Sequence, residues 1–291
     1  MKPPPFKYIA AGSIEDATSA LADNGGDAKV LAGGQSLVPM LNFRLLAPAV
    51  LVDINRVPGL DVVEENADGL AVGALARHHQ LQTSPPVGAR YPVLAAAIGH
   101  VGHLAIRNRG TIGGSLAHAD PAAELPLIAR LLDAEIVVIG AAGPRIIAAR
   151  DFFLGAHTTA LEADEIITRI DLPALPPGTG WGFEEVTRRA GDFALVAVAA
   201  TVSMADGQVT QARIALAGVG ESPARASAAE SVLSGQALED DAIDAASQSA
   251  RDAVRPSTDL HASADYRRHL VGVLTGRVLN AAWRRTVREA S

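Results

Sequence analysis

The sequence predicts an α+β protein made of two units. In the first, roughly residues 1–175, short apolar runs alternate with helical patterns; the second, residues 176–291, begins with extended segments and ends in helices. Prolines and glycines crowd the segment LPALPPGTG, 172–180, which we take as the boundary. With 291 residues and 48% hydrophobic content, the chain can bury a core in each unit.

The first half of the first unit reads β-α-β-α-β. A helix is predicted over 16–23, because Gly25 and Gly26 follow it as stop signals, and a strand over 29–32. Another helix begins at Leu37, with Ser36 as its N-cap and Pro39 in its first turn, where a missing N–H does little harm. The apolar run that begins VLVD predicts a buried strand and closes a subdomain of about residues 1–58.

The remainder of this unit, about 59–175, predicts a second subdomain. It begins with a hairpin around residues 66–69 and an Ala-rich helix within 92–102. A strand entry at Thr111-Ile112 leads into a Gly-Gly-Ser turn, and the next helix is capped by Asp120 with Pro121 at its first position. Two further strands are predicted in AEIVVIG and EIITRIDLP.

The second unit predicts three strands, two of them joined by an Asp206-Gly207 hairpin turn, followed by two or three helices. Arginines recur along the last helical segment, which predicts a solvated basic face; a subunit contact or an anion site remains the alternative. These arginines are Arg267, Arg268, Arg277, Arg284, Arg285 and Arg288.

Composition excludes several classes of function. A net charge of −7 argues against nucleic acid as the main partner, because phosphate binding needs a basic face. No apolar run approaches the roughly 20 residues that span a bilayer, and the start MKPPPFKYIA lacks a secretory apolar region, so we expect a cytoplasmic protein without a membrane span. The chain has no cysteine and therefore holds no disulfide and no Cys-ligated iron–sulfur cluster.

Two glycine-rich loops are the strongest functional signal. Gly33-Gly34-Gln35-Ser36 follows a predicted strand, and Gly113-Gly114-Ser115 repeats the pattern. Glycine allows a ligand to approach the backbone, and N–H groups at a helix start favour an anion. Two such loops are suited to the two phosphates of a pyrophosphate; the alternative is a pair of tight turns with no ligand.

Candidates for acid–base or metal chemistry are few. His100 and His103 are spaced to share a helical face, yet no third metal ligand is evident, and adjacent His78 and His79 point apart. A hydrolase triad of Ser115, His118 and Asp120 is disfavoured, because three residues within one hexapeptide do not readily form the required geometry.

Charged residues near the predicted loops offer further alternatives. Asp120 and Glu124 are interpreted as ligand contacts or helix-start groups rather than catalysts. Arg188, Arg189 and Asp192 precede a strand of the second unit, where they form either an exposed turn or a group that faces a ligand.

Four segments together resemble one protein family over nearly the whole chain. AGGQSLVPMLNFRL, LVDINRVPGL, RNRGTIGGSLAHADPAAELP and TRRAGDFALVAVA look like the FAD-binding medium subunit of the molybdenum hydroxylases, a group that includes carbon monoxide dehydrogenase and xanthine dehydrogenase. The resemblance implies a vanillyl-alcohol-oxidase-like (PCMH-type) FAD domain of two α+β subdomains, and then a small α+β domain with a three-stranded sheet and helices.

The resemblance also implies the residues that bind FAD. None of them is expected to be catalytic or to bind a metal, and the pyrophosphate would lie against the two loops. The implied positions are Ala32, Gly33, Gly34, Gln35, Ser36, Thr111, Ile112, Gly113, Gly114, Ser115, Asp120, Glu124, Ile167 and Phe193.

The sequence departs from the family pattern at four of its positions. Gln35 stands where some members of the family have His, and Glu124 stands where Asp is usual. Phe193 stands where carbon monoxide dehydrogenase-like members often have a Tyr beside the flavin ring, so the chain offers no hydroxyl group at this position. Glu184 stands where xanthine dehydrogenases carry a basic residue. For this reason we do not predict NAD⁺ as the electron acceptor by analogy with xanthine dehydrogenase.

We therefore expect the flavoprotein subunit of a heterotrimeric dehydrogenase. A large molybdenum–pterin subunit would oxidise substrate, a small [2Fe–2S] subunit would carry electrons to FAD, and the assembly would be a dimer of heterotrimers. The alternatives are a stand-alone flavin oxidase and a non-catalytic dinucleotide-binding module.

Overall fold

The computed structural model describes residues 2–289, with side chains through residue 286. It consists of three packed units of helices and strands, each with its own sheet, and has the predicted α+β class. None of the described helices has the length and apolar character that crossing a membrane requires.

The first unit has a three-stranded parallel sheet in the order β1-β3-β2. Parallel neighbours need crossover connections, and two helices provide them. The helix after β1 begins where the Ser13 side chain accepts the Asp16 N–H at 3.0 Å, and it ends at Gly25, whose φ is 53°. The elements are β1 (Lys7–Ala10), α1 (Ile14–Asn24), β2 (Ala28–Leu31), α2 (Leu37–Asn42) and β3 (Val50–Asp53).

The second unit is a five-stranded antiparallel sheet in the order β4-β5-β10-β6-β7, with most of its helices inserted between β5 and β6. Its elements are β4 (Val63–Asn66), β5 (Gly69–Gly73), α3 (His78–Thr83), α4 (Pro85–Arg90), α5 (Pro92–His100), α6 (Leu104–Arg107), α7 (Ile112–His118), α8 (Glu124–Leu131), β6 (Glu135–Gly140), β7 (Gly143–Ala148), α9 (Ala149–Phe152), β8 (Phe153–Gly155), β9 (Thr158–Thr159) and β10 (Ile166–Pro173).

The third unit confirms the predicted strands-then-helices order, and a fourth strand of two residues adds to the predicted three. The hairpin at Asp206-Gly207 forms with φ of 52° and 76°, as a two-residue turn between twisted strands requires. The elements are β11 (Gly180–Val186), β12 (Val196–Ala205), β13 (Gln208–Ala217), β14 (Ala224–Arg225), α10 (Ser227–Leu233), α11 (Asp240–Ala253) and α12 (Ala264–Glu289).

The third sheet is buried on both faces. Alternate small residues, such as Ala197 and Ala215, pack on the core of the second unit. Val198 and Leu216 belong to the other core, with the C-terminal helices. Because side chains alternate across a strand, one strand pair serves both cores, and its alanines allow a close approach to the second unit.

Two local predictions were wrong in the region of residues 111–124. Residues 112–118 form helix α7, so the Gly-Gly-Ser segment lies in a helix rather than in a turn. The next helix begins at Glu124 with Ala123 at the N-cap, and Asp120 instead accepts the Ala122 N–H at 2.9 Å. Thr111 provides the cap that the sequence analysis missed, because its side chain accepts the Gly114 N–H at 3.1 Å.

The prediction of a solvated basic face on the last helix was also wrong for two arginines. Arg267 is buried; its guanidinium donates to the carbonyl oxygens of Leu195 and Gly218 and pairs with Asp259. The Arg285 guanidinium lies 3.7 Å from the centre of the Trp181 ring. The side chain of Arg288 lies outside the described residues.

Candidate functional site

A cavity of about 580 Å³ lies between the first and second units, and both glycine loops line it. Of the implied FAD-binding positions, ten share its wall: Ala32, Gly33, Gly34, Gln35, Ser36, Thr111, Gly113, Gly114, Ser115 and Ile167. Ile112 instead belongs to the apolar core, and Asp120, Glu124 and Phe193 are not part of the wall.

The first loop is in direct contact with Arg109 and Gly110, the segment that leads into the second loop. A Cβ on Gly33 would overlap the Arg109 carbonyl and come within 2.9 Å of the Gly110 Cα, so glycine is required for the loops to meet. Arg77 joins them from the side: its Nη1 donates to the Arg109 carbonyl at 2.5 Å, and its Nη2 donates to the Asn55 side chain at 2.6 Å.

Asn55 completes this connection, because its Nδ2 donates to the Ala32 carbonyl at 2.9 Å. Neither Arg77 nor Asn55 was predicted from the sequence to lie at the site. No sequence signal pairs them, since only the fold brings their side chains together between the loops.

The first loop has free hydrogen-bond donors. Gly34 adopts φ of 72°, and the backbone N–H groups of Gly34, Gln35 and Ser36 donate to no acceptor among the described residues. Ser36 occupies the N-cap position of α2 without a side-chain capping bond. Free N–H groups beside a cavity are suited to the oxygens of an anion such as a phosphate.

The second loop is different, because its backbone donors are already used. The N–H groups of Ile112 and Gly113 bond to the carbonyls of Ala76 and Ala74, and those of Gly114 and Ser115 bond to Thr111. What remains for a ligand is the Ser115 hydroxyl, which has no hydrogen-bond partner among the described residues.

Three histidines also line the cavity and were not predicted as contacts: His78, His118 and His157. The rings of His118 and His157 lie 4.6 Å apart, and His157 Nδ1 is 3.1 Å from the His118 carbonyl oxygen. Burial lowers the pKa of His118. With Asp120, their potential ligand atoms lie within 4.8 Å of one another.

Glu124 lies in a separate acidic cluster between the second and third units. The side chain of the neighbouring Glu185 is 3% exposed, and its Oε1 lies 3.1 Å from His100 Nδ1, within hydrogen-bond distance. The His100 ring packs against the Phe183 ring, with 5.1 Å between the ring centres. Burial, and then the Glu185 charge, raise the pKa of Glu124 to about 8. The bond to Glu185 raises the pKa of His100.

Other proposed contacts are separated from this cluster or exposed. His103 lies beyond the end of α5, so it does not share a helix with His100 as the spacing had suggested. Arg188, Arg189 and Asp192 are exposed, which favours the exposed-turn interpretation, and Arg188 contacts His261 at 2.9 Å. Phe193, in the same segment, is 56% exposed.

Known proteins with the same arrangement identify the family. Residues 4–175 match the family described as the FAD binding domain in molybdopterin dehydrogenase, and residues 181–282 match the CO dehydrogenase flavoprotein C-terminal domain. The 6-hydroxypseudooxynicotine dehydrogenase complex subunit alpha of Paenarthrobacter nicotinovorans is 42% identical over 286 residues, which are 98% of this chain and 97% of that protein.

Solved structures agree over the full length. Carbon monoxide dehydrogenase from Hydrogenophaga pseudoflava superimposes with a TM-score of 0.96 at 41% identity, covering 98% of this chain and 99% of that one. Quinoline 2-oxidoreductase from Pseudomonas putida 86 superimposes with a TM-score of 0.93 at 41% identity, covering 98% of this chain and 100% of that one. The chain therefore belongs to the family of FAD-binding medium subunits of the molybdenum hydroxylases, and is the flavoprotein part of an oxidoreductase.

Proposed function

We propose that this chain binds FAD in the cavity between its first two units and relays electrons from a partner's [2Fe–2S] clusters to an external acceptor. The observation that carries this proposal is that the N–H groups of residues 34–36 donate to no acceptor among the described residues, and that these residues line a cavity that the second loop also lines. Bound FAD would supply the redox chemistry, and the chain would supply binding and orientation.

The residues present fit a dinucleotide. The first loop offers backbone donors to one phosphate, and the second offers the Ser115 hydroxyl and a surface with little bulk. Arg77 and Asn55 hold the loops at a fixed separation. On this basis we assign ten of the implied positions to FAD contact: Ala32, Gly33, Gly34, Gln35, Ser36, Thr111, Gly113, Gly114, Ser115 and Ile167.

The other implied contacts belong to the same proposal. Glu124 lies beside the third unit, Phe193 lies within it between β11 and β12, and Asp120 follows α7, so each would meet the cofactor only where it extends beyond the cavity wall. We accordingly take 1–175 as the FAD domain, with subdomains of about 1–58 and 59–175, and 176–291 as the C-terminal domain.

The proposed partners follow from the absence of cysteine in the sequence. A chain without thiolates cannot ligate the clusters that feed a flavin in such an enzyme, so they must reside in another polypeptide. We propose a small [2Fe–2S] subunit and a large molybdenum–pterin subunit, assembled as a cytoplasmic dimer of heterotrimers.

An absorption spectrum and a reduction experiment test the proposal. The purified chain is expected to show oxidised-flavin bands at one FAD per chain, and to lose them when a reduced iron–sulfur partner is added anaerobically. Bleaching by a small-molecule substrate without partners would favour a stand-alone oxidase. Bound FAD that no partner or substrate reduces would favour a non-catalytic module, and a chain that binds no FAD would overturn the proposal.

A further inference from the structure

One exposed region of the second and third units combines apolar and basic side chains. Three segments meet there: 102–104, which leads into α6, 188–193, between β11 and β12, and 259–266, which leads into α12. None of their exposed side chains lines the cavity between the first and second units. The members of this mixed surface are Leu104, Arg188, Arg189, Phe193, Leu260 and Tyr266.

Direct contacts hold the three segments together. Gly191 lies so close to the second unit that a Cβ there would come within 2.9 Å of the Gly102 carbonyl oxygen. On the other side, Arg188 Nη1 donates to His261 Nδ1 at 2.9 Å. The segment 188–193 therefore lies between the other two and joins them into one surface.

Leu260 is 94% exposed, yet hydrogen bonds hold the loop that carries it. The Asp259 carboxylate accepts the N–H groups of Ala262 and His261 at 2.9 and 2.8 Å, and it pairs with the buried Arg267 at 2.7 Å. The bonds from Ala262 and His261 lower the pKa of Asp259 to about 2. A leucine displayed on an ordered loop, among other exposed apolar residues, indicates a site of contact with another protein.

The charges of the mixed surface indicate the kind of partner. Arg188 and Arg189 form no ion pair with the described residues, and Asp192 is the one carboxylate in the segment 188–193. This basic surface belongs to a chain whose net charge is −7. Complementary charges steer association, so the surface favours a partner that presents negative charge to it.

A [2Fe–2S] centre meets this requirement. Its cysteine thiolates and sulfide ions together outweigh the charge of its two irons, so the centre is negative in both oxidation states. We propose that the mixed surface binds the [2Fe–2S] subunit, with the apolar side chains excluding water from the contact and the two arginines steering the approach. This inference rests on the proposed function, which includes such a partner.

Association of the chain with its purified [2Fe–2S] subunit tests the role of charge. Arg189→Glu is expected to slow association by roughly tenfold or more at low salt, and to have little effect in about 1 M salt, where the Debye length is about 3 Å. Arg284→Glu is the matched control. Arg284 is also exposed and forms no ion pair among the described residues, but it lies about 27 Å beyond Tyr266 along α12.

The same measurement tests the apolar contact. Leu260→Asp is expected to weaken binding by roughly tenfold or more, as for an interface anchor, and the loss should persist at high salt. Leu154→Asp is the control, because Leu154 is 64% exposed and lies on β8, outside the mixed surface. Phe193 is left unchanged, since the proposed function places it near the cofactor.

Hydroxyl-radical footprinting of the unmodified chain locates the contact without variants. Leu260 and Tyr266 are expected to lose reactivity when the [2Fe–2S] subunit binds, whereas Leu154 should keep it. Reactive Leu260 and Tyr266 in a formed complex would overturn the inference. So would equal effects of the variants and their controls, or protection by the molybdenum–pterin subunit or by phosphatidylserine vesicles but not by the [2Fe–2S] subunit.

The outcomes also separate this inference from the proposed function. A complex that forms and transfers electrons with the mixed surface open would overturn the inference alone. A chain that binds FAD but does not bind the [2Fe–2S] subunit would refute the inference and the proposed partner together, and leave the FAD site standing.

Discussion

The two glycine loops share a sequence pattern but differ in structure. Gly34 lies in an irregular turn at positive φ, and three N–H groups of that turn have no acceptor in the described part of the chain. Gly113 and Gly114 lie in the first turn of α7, where the corresponding donors bond to the protein. The first loop is thus equipped to bind an anion, whereas the second mainly provides a close-fitting surface.

This difference shows that a glycine can be required for separate reasons. Gly33 permits contact between loops, Gly34 permits a left-handed backbone, and Gly113 permits α7 to pack on Ala74. A pattern of paired glycines therefore predicts a crowded backbone, and the hydrogen-bond partners decide whether that backbone binds a ligand.

The largest expected effect comes from separating the loops. Gly33→Val places a branched side chain against the Arg109–Gly110 backbone, which cannot move without breaking the Arg77 bridge. We expect loss of bound FAD and destabilisation of about 2–4 kcal/mol, as for overpacking at a rigid site, measured by urea unfolding and flavin content. Gly26→Val, where a Cβ would meet open space, is the control. Equal behaviour of the two variants would contradict loop contact as the reason for Gly33.

A second test concerns Glu124, because a buried acidic residue of this kind follows the second glycine loop and none follows the first. Its pKa of about 8 lies above the ordinary 4.5, so the folded chain retains a proton that the unfolded chain releases. Stability should therefore fall as pH rises from about 4.5 to about 8. Glu124→Gln removes this loss, and should be more stable than the unmodified chain by on the order of 1–3 kcal/mol at pH 8.5, with little difference at pH 4.5.

The matched control for this prediction is Glu184→Gln, because Glu184 is a partly exposed neighbour of Glu185 on the same strand. Its unfolding free energy should follow the pH profile of the unmodified chain. The contrary result would be an unfolding free energy of Glu124→Gln apoprotein that changes with pH in parallel with that of the unmodified apoprotein. It would show that Glu124 is already ionised in the folded chain at neutral pH.

A smaller effect is expected from Gly34→Ala. Alanine at φ of 72° is strained by about 1–2 kcal/mol, and Gly178→Ala, at φ of 71° in the linker, should cost the same. Only the change at Gly34 alters the free N–H groups, so only that variant should also lose FAD affinity in a titration. Similar FAD affinity in both would indicate that the first loop does not bind the diphosphate.

The smallest expected effect on FAD affinity distinguishes Ser115 in the second loop from Ser36 in the first. Ser115→Ala removes the remaining donor of the second loop and should weaken FAD binding by about 0.5–1.5 kcal/mol. Ser36→Ala should change the affinity less, because the backbone of the first loop supplies the donors and the Ser36 side chain forms no cap. The reverse order in calorimetric titrations would contradict the division of roles between the loops.

Local signals predicted most of the fold. The alternation of short apolar runs and helical patterns predicted the order of elements, and the Asp206-Gly207 turn formed as expected. The errors at residues 111–124 share one cause. Gly-Gly-Ser has weak helix propensity, and only the Thr111 cap and the packing of Gly113 on Ala74 favour a helix there.

The sequence by itself determined the two-unit α+β plan, the absence of thiolate ligands and the pair of glycine loops, because these depend on composition and short-range pattern. Only the tertiary structure decided which loop keeps free donors among the described residues, and that Arg77 and Asn55 connect the two loop regions. Hydrogen-bond partners and burial are set by residues far apart in the chain, and one-dimensional spacing does not contain them.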